Sequence, residues 1–121
     1  MNIEEYRNYC LGKAGVTEGF PFDQATLVFK VMNKMFALTN VDRFEGINLK
    51  CDPERALELR AEFSAITAGY HMSKKHWNTV GVNAGVSDTL IYELIDHSYE
   101  LVVQSLPKKL QKELDSMSTN D

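Results

Sequence analysis

The densest group of chemically capable side chains lies at residues 69 to 80, GYHMSKKHWNTV. Its histidines, His71 and His76, are of a type that binds metals or transfers protons, and its lysines, Lys74 and Lys75, can neutralise phosphates. A metal site is disfavoured, because a separation of five positions puts the histidines on opposite faces of a strand and no acidic residue lies between them. We therefore expect no metal and no other cofactor.

Nucleophilic catalysis would need Cys10 or Ser73 beside a histidine that acts as a base. The sequence has no glycine-rich elbow, no acidic partner next to either histidine of the stretch, and no phosphate-binding loop. Cys10 and Cys51 lie at apolar-periodic positions, which favours buried, reduced thiols, and Ser73 lies in a predicted turn. We therefore expect a binding protein rather than an enzyme.

The charge balance restricts the kind of partner. Thirteen Lys and Arg against seventeen Asp and Glu give the 121 residues a net charge of −4, so phosphate binding would need a local basic face. The length predicts one domain, residues 1–117, and a disordered tail, residues 118–121. No secretory leader or membrane-spanning run is apparent, so we expect a cytoplasmic monomer without a membrane partner.

The capping signals predict four helices. Asn2, Asp52 and Ser87 are N-cap residues, Pro53 occupies the first position of the second helix, and Pro107 separates the third helix from a short terminal one. The predicted helices are residues 2–11, residues 53–64, a long helix after Ser87, and residues 108–117.

Alternating apolar residues predict an antiparallel sheet. Three strands lie at residues 27–32, 35–38 and 47–51, with Asn33-Lys34 as a hairpin loop, and HWNTVGV (76 to 82) forms another. The predicted fold class is therefore α+β, a two-layer domain in which the antiparallel sheet packs against helices. In the last strand we expect Trp77 to be packed and Asn78 to be exposed together with His76.

This phasing gathers basic side chains. Lys30 and Lys50 point away from the core, Lys34 lies at the hairpin tip, and Lys74 and Lys75 lie in a neighbouring turn. They could form one cationic surface on which His76, Asn78 and Asn48 supply hydrogen-bonding groups. The competing interpretation is that exposed lysines keep the sheet soluble and its edges unpaired.

The segment TEGFPFD (17 to 23) places Phe20 and Phe22 on either side of Pro21. Packing against the core is the favoured interpretation, and the lining of a ligand pocket is the alternative. Glu18 would need a partner if it were partly buried, and Lys30 is the candidate.

Several motifs resemble the MmcQ/YjbR family: GVTEGFPFD (15 to 23), VFKVMNKMFAL (28 to 38), INLKCDPERALELR (47 to 60), GYHMSKKHWNTV (69 to 80) and SYELVV (98 to 103). The resemblance implies a CyaY-like (frataxin-like) fold and a DNA-binding protein with a double-wing motif. Asp23 and Asn33 depart from the family's usual glycines, Ala68 from a proline and Ser73 from an asparagine. No charge is lost from the lysine-rich motifs by these departures.

Two hypotheses follow. In the first, the chain binds double-stranded DNA through phosphates, and the nucleic-acid-binding residues are Lys30, Lys34, Lys50, Lys74, Lys75, His76 and Asn78. In the second, Tyr70, His71 and Trp77 line a groove for a protein or a small molecule. The absence of arginine from the first set argues against specific reading of guanine.

Overall fold

The computed structural model of the protein describes residues 1–69 and 72–119, with side chains to residue 117. The described part contains four helices, α1 (Ile3–Leu11), α2 (Pro53–Glu62), α3 (Asp88–Gln104) and α4 (Lys108–Thr119). It contains six strands, β1 (Val16–Gly19), β2 (Thr26–Val31), β3 (Lys34–Asn40), β4 (Gly46–Lys50), β5 (Ile66–Ala68) and β6 (Trp77–Gly81).

The helices begin where the capping chemistry predicts. The Asn2 side chain accepts from the amide of Glu5 while the Glu5 carboxylate accepts from the amide of Asn2, a reciprocal capping box. Asp52 and Ser87 likewise accept from backbone amides in the first turns of α2 and α3. All three predicted N-caps are therefore confirmed.

The strands form one antiparallel sheet in the order β1-β2-β3-β4-β6-β5. The predicted α+β class, with an antiparallel sheet packed against helices, is confirmed. The two edge strands, β1 and β5, were not predicted. They have four and three residues, which is too short for an alternating pattern to be recognised.

The hairpin between β2 and β3 turns one residue earlier than predicted. Met32 and Asn33 form its loop with φ angles of 48° and 71°, the left-handed pair that a two-residue hairpin requires. Methionine rarely adopts this conformation, so the pattern pointed to Asn33-Lys34 instead. Lys34 is the first residue of β3 and pairs with Val31.

The register assigns the two faces of the sheet, because paired residues on neighbouring strands share a face. One face forms the main core with α1, α2 and α3, and its buried strand residues include Leu27, Phe29, Val31, Ala37, Ile47, Leu49, Ile66 and Val80. We call the opposite side the outer face, and it carries Thr17, Val28, Lys30, Met35, Leu38, Asn48, Lys50, Trp77 and Thr79.

Candidate nucleic-acid interface

Lys30 and Lys50 lie on the outer face, as predicted. Lys30 pairs with Met35 across β2 and β3, and Lys50 pairs with Trp77 across β4 and β6. Both lysines are half-buried. Partial burial of the stem with a free ammonium is the usual behaviour of lysine on an apolar sheet surface.

Ser98 of α3 fixes the end of β4 that carries Lys50. Its hydroxyl accepts from the amide of Lys50 at 2.9 Å and donates to the carbonyl of Phe36 at 2.5 Å. The register of β2 and β3 shifts beside Phe36, between Phe29 and Lys30. The buried hydroxyl therefore occupies a place in the β3–β4 ladder where a direct backbone hydrogen bond would otherwise lie.

The turn before β6 brings Lys74, Lys75 and His76 to the same end of the sheet. All three residues are exposed. The carbonyl of His76 accepts from the amide of Cys51 at 2.8 Å, and Cys51 directly follows Lys50. The turn therefore lies beside the end of β4, and its lysines also line a hollow next to α2.

Arg60 of α2 holds this turn in place, and the sequence did not single it out. Its guanidinium donates from Nη2 to the carbonyls of Lys74 and Trp77 and from Nε to the side chain of Asn78. One arginine thus ties a helix to both the turn and the start of β6. An arginine in the last turn of a helix is usually assigned to the helix dipole, which is why the pattern gave no signal.

Asn78 is the clearest correction to the predicted site. It is only 2% exposed and pairs with Leu49, so it faces the helices and not the solvent. Its Oδ1 accepts from Arg60 at 2.6 Å, and its Nδ2 donates to the carbonyl of Ala56 at 3.4 Å. The alternation in β6 was right and Trp77 is packed as predicted, but the expected exposure of Asn78 was wrong, because an asparagine was not expected in a core. Asn78 supports the turn and does not reach a ligand.

Lys34 is also separated from the other lysines. It pairs with Val31, which belongs to the helix-covered core, whereas Lys30 pairs with Met35 on the outer face. Lys34 is exposed at the end of the hairpin, but the register turns it to the opposite side of the sheet from Lys30. The expectation of one surface that includes Lys34 is therefore wrong.

None of the five predicted lysines is neutralised by a described acidic side chain. Within residues 1–69 and 72–117, no ion pair involves Lys30, Lys34, Lys50, Lys74 or Lys75. Other cations are neutralised: Arg7 by Glu18, Lys13 by Asp96, and Arg55 by Glu93.

Glu18 does not pair with Lys30 as predicted. It faces α1, where Arg7 donates from Nε and Nη2 to its two carboxylate oxygens at 2.7 and 2.5 Å. The hydrogen bonds from Arg7 lower the pKa of Glu18. The register explains the error, because Lys30 pairs with Thr17, and Thr17 and Glu18 point to opposite faces.

Phe20 and Phe22 are 50% and 64% exposed, so the predicted packing against the core is wrong. Phe20 follows the edge strand β1 and borders a hollow on each side of it. The hollow towards α1 has a volume of about 540 Å³ and is lined mainly by apolar groups, including Ile3 and Leu27. The hollow on the outer side, of about 310 Å³, includes Lys30 in its lining.

The alternative groove is only partly described. Tyr70 and His71 lie outside the described residues. Trp77 is 9% exposed and packs closely against Gly69, where a Cβ atom would come within 2.8 Å of the tryptophan Cβ. A neighbouring hollow of about 380 Å³ is lined by Pro53, Glu54, Leu57, Arg60, Lys74 and Lys75.

The chemistry of the thiols agrees with the sequence prediction. Cys10 and Cys51 are free and buried, and burial raises the pKa of the Cys10 thiol to about 12. Among the described residues, no three His, Cys, Asp or Glu side chains are grouped so that they could hold a metal ion. Over the same residues, no helix combines the length and apolar character needed to cross a bilayer.

Comparisons with known proteins identify the family. A family model described as YjbR matches residues 11–101. The "Uncharacterized protein YjbR" of Escherichia coli (strain K12) is 34% identical over 113 residues, 93% of this chain and 96% of that protein. The "Uncharacterized protein YbdF" of Escherichia coli O157:H7 is 40% identical over 94 residues, 77% of each chain. The crystal structure of Deinococcus radiodurans protein DR2400, with the family-model domain DUF419, superimposes with a TM-score of 0.87 at 41% identity, covering 94% of this chain and 88% of that one. The chain belongs to the YjbR family.

Proposed function

We propose that the protein is a non-catalytic binding protein that contacts the phosphates of nucleic acid, DNA in the first instance. The contacts come from a surface formed by Lys30, Lys50, Lys74, Lys75 and His76, which we call the lysine surface. The observation that supports this proposal is the shared outer face of Lys30 and Lys50 together with the hydrogen bond that joins the lysine-bearing turn to the end of β4.

The chemistry of lysine suits phosphate contact. An ammonium group acts as a point charge and does not need the planar alignment that a guanidinium requires. The net charge of −4 repels nucleic acid elsewhere on the chain, so binding should be confined to this surface. Base-specific reading is not expected, because the surface has no arginine and Asn78 is buried.

Salt dependence tests the proposal. Four lysines that each neutralise one phosphate give a slope of about −3 to −4 in a plot of log affinity against log salt. We would measure the anisotropy of a fluorescent duplex with the purified protein between about 50 and 200 mM salt. Binding that is salt-insensitive, or undetectable at the lowest salt, contradicts the proposal.

A matched pair of charge reversals locates the surface. Lys74→Glu/Lys75→Glu should abolish binding, whereas Lys108→Glu/Lys109→Glu should preserve most of it. Each double variant changes the net charge by the same amount at two exposed residues, and the second pair lies at the start of α4. Equal losses in both variants would mean that net charge, and not this surface, controls binding.

A protein partner is the second candidate function. Leu57 is 64% exposed and borders the same hollow as Lys74 and Lys75. An apolar side chain flanked by lysines matches a protein segment that carries an apolar anchor and acidic neighbours. This function predicts a shallower salt dependence than phosphate binding and sensitivity to Leu57→Ala, whereas phosphate binding should tolerate that substitution because it changes no charge.

A further inference from the structure

Phe20 and Phe22 expose aromatic rings on a constrained loop. The Asp23 carboxylate accepts from the amides of Ala25 and Thr26 at 2.9 and 2.6 Å, which closes the loop that follows the two aromatics. Large apolar side chains exposed on an ordered segment often mark a binding site. Because the loop is already held in place, a ligand would lose little free energy in ordering it.

The hollow on the outer side of Phe20 has the size and lining for a planar polar ligand. Its volume is about 310 Å³, and its lining includes Thr17, Val28, Lys30 and Asn33 together with Phe20. Val28 supplies an apolar floor, while the hydroxyl of Thr17 and the amide of Asn33 can form hydrogen bonds. An aromatic wall, polar groups and a lysine ammonium are the three features that hold a nucleotide by its base and its phosphate.

Among the described residues, one acidic side chain lines this hollow, and it is already paired. Glu18 also lines it, but both of its carboxylate oxygens accept hydrogen bonds from Arg7. Its negative charge is thereby offset, and it opposes an approaching phosphate less than a free carboxylate would. Lys30 has no such partner among the described ion pairs.

We infer that this hollow binds an unpaired base of single-stranded nucleic acid, stacked on Phe20 while a neighbouring phosphate contacts Lys30. The inference rests on the proposed function and deepens it. A base within a duplex is covered on both faces by its neighbours, so only a single strand can offer a face to a phenyl ring. Stacking of this kind tolerates any base, in agreement with a surface that lacks guanine-reading arginines.

The test compares the binding of single-stranded DNA with that of a duplex, and the wild-type protein with two alanine variants. The protein would be titrated with a fluorescent thymidine oligonucleotide of about 12 nucleotides, within the site sizes of single-strand binders, and with a duplex of equal length. The single strand should bind more tightly. Phe20→Ala should weaken single-strand binding about tenfold while the salt slope stays unchanged, because a stacking contact releases no counterions. Met117→Ala, which removes another exposed apolar side chain, is the control and should leave the affinity unchanged.

A spectroscopic readout in a second variant distinguishes lost stacking from a folding defect in Phe20→Ala. In a Phe20→Trp/Trp77→Phe protein, the only tryptophan lies at the hollow, and its fluorescence should be quenched when the oligonucleotide binds. Single-strand binding that is unchanged by Phe20→Ala, with no quenching, overturns the inference and leaves the lysine surface standing. If the protein shows salt-dependent binding to neither the single strand nor the duplex, the proposed function is overturned as well.

Discussion

The Nε of Arg60 and the Oδ1 of Asn78 are joined by a hydrogen bond of 2.6 Å. The bond connects the last turn of α2 to the first residues of β6, and the same guanidinium reaches the carbonyl of Lys74. A buried amide and the conformation of an exposed basic turn therefore depend on one side chain.

Arg60→Ala should destabilise the fold by about 1–3 kcal/mol, because Asn78 would be left buried without its main donor. Arg60→Lys should recover only part of this loss, since an ammonium cannot contact two carbonyls and an amide in the same fixed geometry. Urea denaturation of the three proteins measures the difference. Equal midpoints for wild type and Arg60→Ala would mean that Asn78 finds another partner.

Ser98→Ala should also destabilise the protein by about 1–3 kcal/mol, since it removes the partner of the Lys50 amide and of the Phe36 carbonyl inside the core. Ser105→Ala is the control. Ser105 bonds the carbonyl of Val102 at the exposed end of α3, where water can replace it. Hydrogen exchange should show faster exchange of the Lys50 amide in Ser98→Ala alone. Unchanged protection of that amide would contradict the role given to the hydroxyl.

The substitutions Lys30→Glu and Lys34→Glu test whether DNA binds on the outer face of the sheet. Both change one charge, and the residues are four positions apart, but the register puts Lys30 on the outer face and Lys34 on the other. Lys30→Glu should weaken DNA binding about tenfold or more and reduce the salt slope by about 1. Lys34→Glu should have a much smaller effect on affinity. A larger loss in Lys34→Glu would move the binding surface to the opposite side of the hairpin.

His97 should make stability fall in mildly acidic solution. Its Nε2 accepts from the amide of Asp52 at 3.1 Å, which requires the neutral ring. Burial, and next the positive charge of Arg55, lower the pKa of His97 below its ordinary value of 6.5. The unfolded chain therefore binds the proton more readily, so this contribution is present above pH 6.5 and is lost as the pH falls through the folded pKa.

Urea midpoints at pH 7.5 and in steps below pH 6.5 measure this effect, with His97→Gln as the comparison. Glutamine can still accept the hydrogen bond from Asp52 but does not titrate, so the variant should lose stability less steeply on acidification. Parallel curves for the two proteins would assign the acid sensitivity to other groups.

Local chemistry made the helices and the strand phases predictable. Asn2, Asp52 and Ser87 cap helices through contacts within three residues, so their sequence neighbours contain the signal. The alternation of β6 was also predictable. Which side of β6 faces the helices depends on its pairing with β4, and that pairing brings Asn78 opposite Leu49. Long-range register is absent from a local pattern.

The errors at the candidate site have the same origin. The two-residue loop at Met32-Asn33 pairs Val31 with Lys34 and Lys30 with Met35, and this pairing separates Lys34 from Lys30. The contact of Arg60 with Asn78 spans eighteen positions, and that of Arg7 with Glu18 spans eleven. Neither contact follows from residue type alone. Each one determines whether the polar side chain, Asn78 or Glu18, is held by another residue or is free to bind a ligand.

The short edge strands affect how molecules of this protein meet one another at high concentration. β1 and β5 border the sheet with only four and three residues, so each edge offers few unpaired amides and carbonyls. A long, flat edge would template the addition of a strand from a neighbouring molecule, the first step towards fibrils. The short edges therefore oppose edge-to-edge assembly of the sheet.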